Sequence, residues 1–596
     1  MGLSLHISIV PLILMVVSLQ VISLPLGCLE EERAALLQLK DSLNYPNGTS
    51  LPSWRKGDAR CCDWELVWCN SSTGRVTGLY LWRARNGELG DWYMNASLFL
   101  PLQELIALDL WDNQIAGWVE NKGPTNLSTL YLNNITAYGS SFQKLLQPLG
   151  AFPNLKKLDL GNNDLRGRIL GDGFLNLKNL ELLDLSYNTL NSSNIFQTIE
   201  TMTSLKTLML QGCSLNGQLP TSQGFLNLKN LELLDLSYST LNNSNIFQTI
   251  GTMTSLKALM LQGCSLNGQL PTGLCDLNHL QVLDISSNDL SGFLPPCLAN
   301  LTSLQQLDLS SNYLKIPMSL SPLYNLSKLK YFLGSDNEIY AEEDDHNLSP
   351  KFQLEYLDLR GHGQSAGAFP TFLYHQFNLQ SLGISNIQIK GEFPSWLIEN
   401  NTYLQGLFLE NCSLSGPFLL PRSSHVNLSI LSISMNNFHG QIPVEIGAYF
   451  PGLQVLMMSD NGFDGIIPSS LGSMSSLQLL DLSHNGFDGS IPSSLGSDLY
   501  SLVSRCKQGP DEEVTSLITS WENQVYSPES STRSKVTEFA RCLNKKWSRQ
   551  ISAAKNAIED LWKLAFSYQV NHLAAVQPLP STTRGGSLMK VMVIRP

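Results

Sequence analysis

The feature that most restricts what this chain can fold into is a nonapeptide, Leu-X-X-Leu-X-Leu-X-X-Asn, that returns every 24 or 25 residues, as in LQVLDISSN (Leu280 to Asn288), LQQLDLSSN (Leu304 to Asn312) and LQLLDLSHN (Leu477 to Asn485). Its ninth position falls near residues 113, 135, 163, 188, 213, 239, 264, 288, 312, 337, 362, 387, 412, 436, 461 and 485, about sixteen repeats. Each Leu-X-Leu reads as a short strand with leucines inward and the intervening residues toward water. One such turn cannot bury its apolar edge alone; a stack of turns can. The expected fold is therefore an α/β repeat solenoid, although 596 residues would otherwise suggest several globular domains.

The ninth-position asparagine is a small polar residue in an apolar column, so it must bond backbone groups of neighbouring turns. Cys213, Cys264 and Cys412 fill the same slot. They read as structural thiols, because no His or Asp recurs beside them at ligand spacing. Residues 173 to 222 and 224 to 273 differ at only five of fifty aligned positions, among them Asn188 against Ser239 and Glu200 against Gly251. Such a duplication lengthens a one-dimensional array, whereas it would wreck a closed core.

After the asparagine many repeats continue Leu-X-Gly-X-Leu/Ile-Pro, as in Leu290 to Pro295 and Phe463 to Pro468. Glycine supplies a tight turn and proline an extended segment. With the 24-residue period, this signature resembles the plant-specific class of leucine-rich repeats. That resemblance implies a right-handed superhelix with a parallel β-sheet on its concave face.

Ahead of the array, Ala35, Leu36 and Leu39 follow helical spacing in Cys28 to Lys40, and then come Trp54, Cys61-Cys62-Asp-Trp64-Glu-Leu-Val67-Trp-Cys69 and Arg75 to Leu81. An open solenoid end exposes leucines, so a disulfide-tied lid is expected there. Four cysteines allow three pairings. These residues resemble the N-terminal cap of plant leucine-rich-repeat receptor-like proteins and polygalacturonase-inhibiting proteins. The resemblance implies Cys28–Cys61 and Cys62–Cys69 bridges; Leu66 stands where that cap more usually has Gly or Arg. Further on, Ile339 to Leu354, Phe369 to His375 and Glu392 to Leu397 are similar to receptor-like proteins in particular. The likeness covers about residues 1 to 500. It implies a chain continuing into more repeats, an acidic juxtamembrane stretch, one membrane helix and a short tail.

The domain reading is 1–27 signal peptide, 28–101 cap and first turn, 102–504 repeats, and 505–596 an unassigned tail. The stretch from Ile7 to Val17 is largely apolar and small residues precede Cys28, although no Lys or Arg occurs before Arg33. Thirteen Asn-X-Ser/Thr sequons fit the secretory pathway, at Asn47, Asn70, Asn95, Asn126, Asn134, Asn191, Asn242, Asn300, Asn325, Asn347, Asn400, Asn411 and Asn427. The net charge of −12 argues against nucleic acid. From Arg505 on, 13 Lys and Arg against 8 Asp and Glu give +5, leaving −17 for the rest. In that tail Val536, Phe539, Leu543, Trp547, Ile551, Ala554, Ile558, Leu561 and Ala565 predict an amphipathic helix. Its Lys545, Lys546 and Arg549 read as a solvated face before a membrane-facing one. No run of eighteen apolar residues occurs in the sequence as written, and the tail reads as a truncated or mis-joined gene product.

The motifs of kinases, phosphate-binding loops, zinc hydrolases and serine hydrolases are all missing, so an enzyme is not expected, nor any cofactor or metal. The acidic run Glu342 to Asp345 beside His346 reads as a solvated loop, and His375, His425 and His484 fall in separate repeats. Cys275 and Cys297 are 22 residues apart, nearly one turn, which leaves a disulfide and two free thiols both open; Cys506 and Cys542 have no predictable partner. Ligand contacts are expected on the concave strand face at Trp111, Tyr187, Gln211, Tyr238, Gln262, Arg360 and His484. The resemblance implies an extracellular or plasma-membrane receptor-like protein in defence or development. It would bind a peptide, glycan or microbial protein and signal through a membrane receptor kinase acting as co-receptor. The alternatives are a soluble apoplastic inhibitor of a secreted hydrolase and a nonfunctional fragment.

Overall fold

The computed structural model describes residues 28–495, except for 120–122, 136–151 apart from Leu149, 164, 166–176, 191–198, 214, 216–226, 242–249 apart from Phe247, 342–348, 362, 489–491 and 493. The signal segment, the acidic run with His346, and the tail with its helix and Cys506 and Cys542 lie outside the described residues. The chain divides into two compact units, Met1–Thr249 and Ile250–Pro596.

The first unit begins with helix α1, Glu30–Asn44, whose Ala35, Leu36, Leu39 and Leu43 are buried. Two polar anchors fix it to the first turn. Glu32, fully buried, accepts from Arg75 Nε at 2.8 Å and from the Val76 amide at 3.3 Å. Arg85 donates to the Leu43 carbonyl at 2.7 Å, satisfying a group that the helix end would otherwise leave unpaired. Trp54 and Trp64 stack at 5.6 Å beneath the helix. Cys28 bonds to Cys61 and Cys62 to Cys69, with Cα separations of 5.8 and 5.6 Å. Strands β1, Val67–Cys69, and β2, Val76–Tyr80, are antiparallel. Leu66, just before β1, has φ +63°, the left-handed region in which glycine carries no steric cost.

From β2 onward every sheet pairing is parallel. In the first unit Ala107–Asp109, Thr129–Tyr131, Lys157–Asp159, Leu182–Asp184, Thr207–Met209 and Leu233–Asp235 follow β2 in order. In the second, ten three-residue strands run from Ala258–Met260 to Leu479–Asp481 in the same manner. These strands precede all sixteen of the ninth positions read from the sequence. In each repeat the strand is the third to fifth residue of the nonapeptide, and the fourth and sixth positions, such as Leu283 and Ile285, are buried in every one of these turns except the last described, where Leu480 and Leu482 are half-buried.

The ninth-position asparagines bond as expected of a buried amide. Asn312 accepts from the Leu290 amide at 3.0 Å and donates to the Ile285, Leu309 and Ser310 carbonyls at 3.0, 3.0 and 3.2 Å. One side chain thereby ties its own turn to the one before it. Cys213 and Cys412 reproduce the cross-turn bond with thiols, Sγ to the Leu185 and Ile384 carbonyls at 3.1 Å each. The Gly-X-Ile-Pro segments build second, shorter parallel sheets, such as Asp289–Phe293 beside Tyr313–Pro317 and Asn437–Gln441 beside Gly462–Gly465. Behind them lie short 3-10 turns such as Thr272–Asp276 and Pro296–Asn300, which Cys275 and Cys297 join as a disulfide.

One expectation needs correction. The fifth position, taken as facing water, is buried in half of the repeats and half-buried in the others: Asp109, Asp235, Asp284 and Asp358 are all below one-tenth exposed. Each folds back to accept the amide two residues on, as Asp284 does from Ser286 at 2.9 Å. This local bond competes with solvent for the carboxylate, and adjacent strands cover what remains.

Candidate functional site

The seven face residues singled out from the sequence occupy two neighbouring columns of the repeat. Trp111, Gln211, Gln262 and Arg360 stand at the seventh position; Tyr187, Tyr238 and His484 stand at the eighth. The eighth column has a left-handed backbone at every repeat but one, the exception being Gly361. Arg83, Asp112, Asn134, Asn162, Tyr187, Gly212, Tyr238, Gly263, Ser287, Ser311, Asp336, Asn386, Asn411, Met435, Asp460 and His484 all have φ between +50° and +64°. This left-handed residue turns the chain off the sheet while its amide still reaches the seventh carbonyl of the following turn, as from Ser311 to Ser335 at 2.7 Å and from Asp336 to Arg360 at 2.6 Å. Asn, Asp and Gly tolerate that conformation; a bulky side chain there costs about 1–2 kcal/mol. The exposed Tyr187 and Tyr238 are thus held in a disfavoured backbone state. The Tyr187 ring lies over Gly212, where an added Cβ would come within 2.6 Å of it.

In the second unit the face hollows into a recess of about 320 Å³ that brings Gln262 and Arg360 together with Asp308, Ser335, Asp358 and Glu410. Its floor follows the seventh column: Gln262, Ser286, Ser310, Ser335, Arg360, Ser385 and Glu410, six of them polar neutral or acidic around one arginine. The Arg360 fork grips Asp358, with Nη2 at 2.6 Å and Nε at 2.9 Å, while its side chain stays 31% exposed. Glu410 accepts from the Ser432 hydroxyl at 2.6 Å. Burial, reinforced by Asp284 one strand away, pushes the Asp308 carboxyl up to about 8, which favours its protonated form. In the first unit burial and Asp184 likewise push Asp159 up to about 7.

The other sequence-derived candidates are distributed along the units. Gln211 accepts the Tyr187 amide at 2.6 Å through its carbonyl, and His484 Nδ1 lies 2.9 Å from Asp460. Trp111 stacks on Trp82 at 6.4 Å with the Arg83 guanidinium 4.8 Å above its ring. Sequence reasoning missed Trp68, Trp82 and Arg83. For Trp82 and Arg83 the signal was present, because Val76 to Ala84 is the same nonapeptide with Val first and Ala ninth; Trp68 lies outside it, on β1. It also missed Glu410, a seventh-column residue with no aromatic or basic character to mark it.

Of the sequons, Asn134 and Asn411 sit in the eighth column on the sheet face, whereas Asn126 and Asn427 hydrogen-bond backbone carbonyls of the preceding turn. Asn47, Asn300 and Asn325 are exposed, Asn70, Asn95 and Asn400 half-buried, and Asn191, Asn242 and Asn347 lie outside the described residues. His425 is buried and bonds backbone at both ring nitrogens, to Asn401 and Leu428. Burial pushes the Cys213 and Cys412 thiols up to about 12, which leaves them protonated and unreactive.

Three family descriptions match the chain: leucine-rich repeat region over residues 225–467, leucine rich repeat N-terminal domain over 29–70, and Leucine Rich Repeat over 476–497. Among curated proteins it is 30% identical to Cuscuta receptor 1 of Solanum lycopersicum, over 72% of this chain and 51% of that one. It is 35% identical to Receptor-like protein 14 of Arabidopsis thaliana, over 76% and 46%. The chain thus spans about half the length of the curated relatives it matches. Among solved structures it resembles the leucine-rich-repeat ectodomain of the Arabidopsis receptor kinase HAESA, crystallised with a peptide hormone ligand. The TM-score is 0.56 and the identity 25%, covering 78% of this chain and 79% of that one.

Proposed function

From the premise that this chain belongs to the plant leucine-rich-repeat receptor-like proteins, we propose that it is a non-catalytic recognition protein whose sheet face binds an extracellular peptide. The observation that carries this reading is the Arg360 recess. A row of hydroxyls from successive strands, about 4.8 Å apart, suits the polar groups of an extended chain laid across them. The Arg360 guanidinium, partly exposed beyond its pair with Asp358, and the Glu410 carboxylate add polar groups of both signs to the row. The HAESA ectodomain, whose fold this chain shares, was crystallised with a peptide hormone.

Recognition is the whole mechanism. Burial holds the Cys213 and Cys412 thiols protonated. No helix of the described residues is long and apolar enough to cross a membrane. From the chain's likeness to receptor-like proteins, signal output is assigned to a membrane receptor kinase that joins the ligand-bound face. The site of action is the cell exterior, in keeping with the sequons and the disulfides.

The test is to expose the secreted full chain to the peptide fraction of plant extracellular fluid, identify the retained peptide, and titrate its synthetic copy against wild type and Arg360→Ala. Loss of a partly buried charged anchor should weaken binding by roughly tenfold or more. Equal affinity for the folded variant would place the peptide elsewhere and remove the reading.

A further inference from the structure

The sheet face of the first unit carries, at its capped end, a surface of quite different chemistry. Trp82 and Trp111, successive residues of the seventh column, stack at 6.4 Å with 30° between their planes. Trp68, 45% exposed on β1, meets the Tyr80 ring edge-on at 6.0 Å, and Trp82 is 44% exposed. A core would have covered these rings, and a structural role would not need so much indole surface in water.

The charges around them are closed on one another. The Arg83 guanidinium lies over Trp111 and binds Asp112 at 2.8 Å, and Asp112 also accepts from Asn134 at 2.8 Å. Asp109 is tied to the Trp111 amide at 2.9 Å. The face therefore asks for a ligand that is electrically neutral and has flat C–H faces to lie on indole rings.

We infer that the exposed Trp68 and Trp82, with Trp111 stacked on Trp82, form a platform for a neutral oligosaccharide whose C–H faces rest on the indoles. The electron-rich ring faces attract the slightly positive C–H bonds of a sugar, and the closed Arg83–Asp112 pair leaves no net charge to select an ionic ligand. This goes beyond the peptide recess and rests only on the sheet face being a binding face.

The experiment titrates the full secreted chain with cellohexaose, chitohexaose and xylohexaose, following tryptophan emission and heat. The expected result is that one of them binds and perturbs the emission, that Trp82→Ala weakens it by roughly tenfold or more, and that Arg360→Ala leaves it unchanged. Trp82→Phe keeps a ring and should retain most of the binding, which separates loss of the platform from loss of folding. The inference is overturned if no hexasaccharide binds at millimolar concentration, or if folded Trp82→Ala binds as well as wild type. It is also overturned if the sugar is lost in Arg360→Ala, or if Trp82→Ala weakens the recess peptide while no sugar binds. Because the peptide titration reads Arg360 and the sugar titration reads Trp82, either reading can fail without the other.

Discussion

The first turn of the array and the last described turn are built from the same nonapeptide and differ in how far their leucines are covered. At the first, Leu79, Leu81 and Leu105 are fully buried beneath α1, an aromatic stack and two disulfides. At the last, Leu479, Leu480 and Leu482 are half-buried, and the strand Leu479–Asp481 has no fully covered residue. The repeat motif therefore sets where the chain turns but does not by itself supply stability. Each turn is completed by what stacks on it, and the cap substitutes polar anchors and covalent bonds for a missing neighbour. Glu32 shows how: a carboxylate that would be costly in an apolar lid is matched by Arg75 and the Val76 amide.

The largest test of this contrast is to remove the cap's covalent bonds. Cys28→Ser with Cys61→Ser should cost about 2–5 kcal/mol, collapse secreted yield and lower the melting temperature. Removing Cys275–Cys297, inside the array, should cost less, because the turns on either side of it are already stacked. Comparable yields from the two variants would show that the cap is not the weak point. A finer test compares equivalent asparagines. Asn312→Ala, well buried and bonded to four backbone groups, should cost about 2–3 kcal/mol. Asn485→Ala, which also makes four such bonds but is half-buried, should cost about 1 kcal/mol, since water can take over them. Equal destabilisation in chemical melts would remove the distinction between enclosed and open turns. The smallest effect is a gain. Leu66→Gly should relieve the left-handed backbone before β1 and stabilise the cap by about 1 kcal/mol, unless the half-buried leucine side chain contributes as much through packing.

The period was fully legible because a stack admits no freedom in register: once Leu283 and Ile285 are inward, Asn288 must face the backbone groups it bonds. Cys213 and Cys412 could be placed for the same reason, as fillers of a fixed slot. The face was less legible. Alternation predicts that Asp284 points away from the leucines, which it does, but not that its carboxylate bends back onto Ser286 and leaves solvent. Nor could the sequence show that Gln262 and Arg360, almost one hundred residues apart, border a single recess, because the depth of the face depends on side-chain packing between turns. Trp82 was overlooked because Val76 and Ala84 disguise its nonapeptide at both ends.

The left-handed eighth column sets a rule for how such a face can vary. No valine, isoleucine or threonine stands at any of its sixteen positive-φ positions, although those residues are common elsewhere in the chain. Branching at Cβ collides with the backbone there, so this column is closed to a whole class of side chains. The seventh column, none of whose residues has a positive φ, is free of that backbone restriction and holds Trp, Ser, Gln, Arg and Glu, although it too lacks valine, isoleucine and threonine. New binding specificities in this architecture should therefore arise chiefly by exchange at the seventh position, with the eighth restricted to a narrower set of polar and unbranched groups.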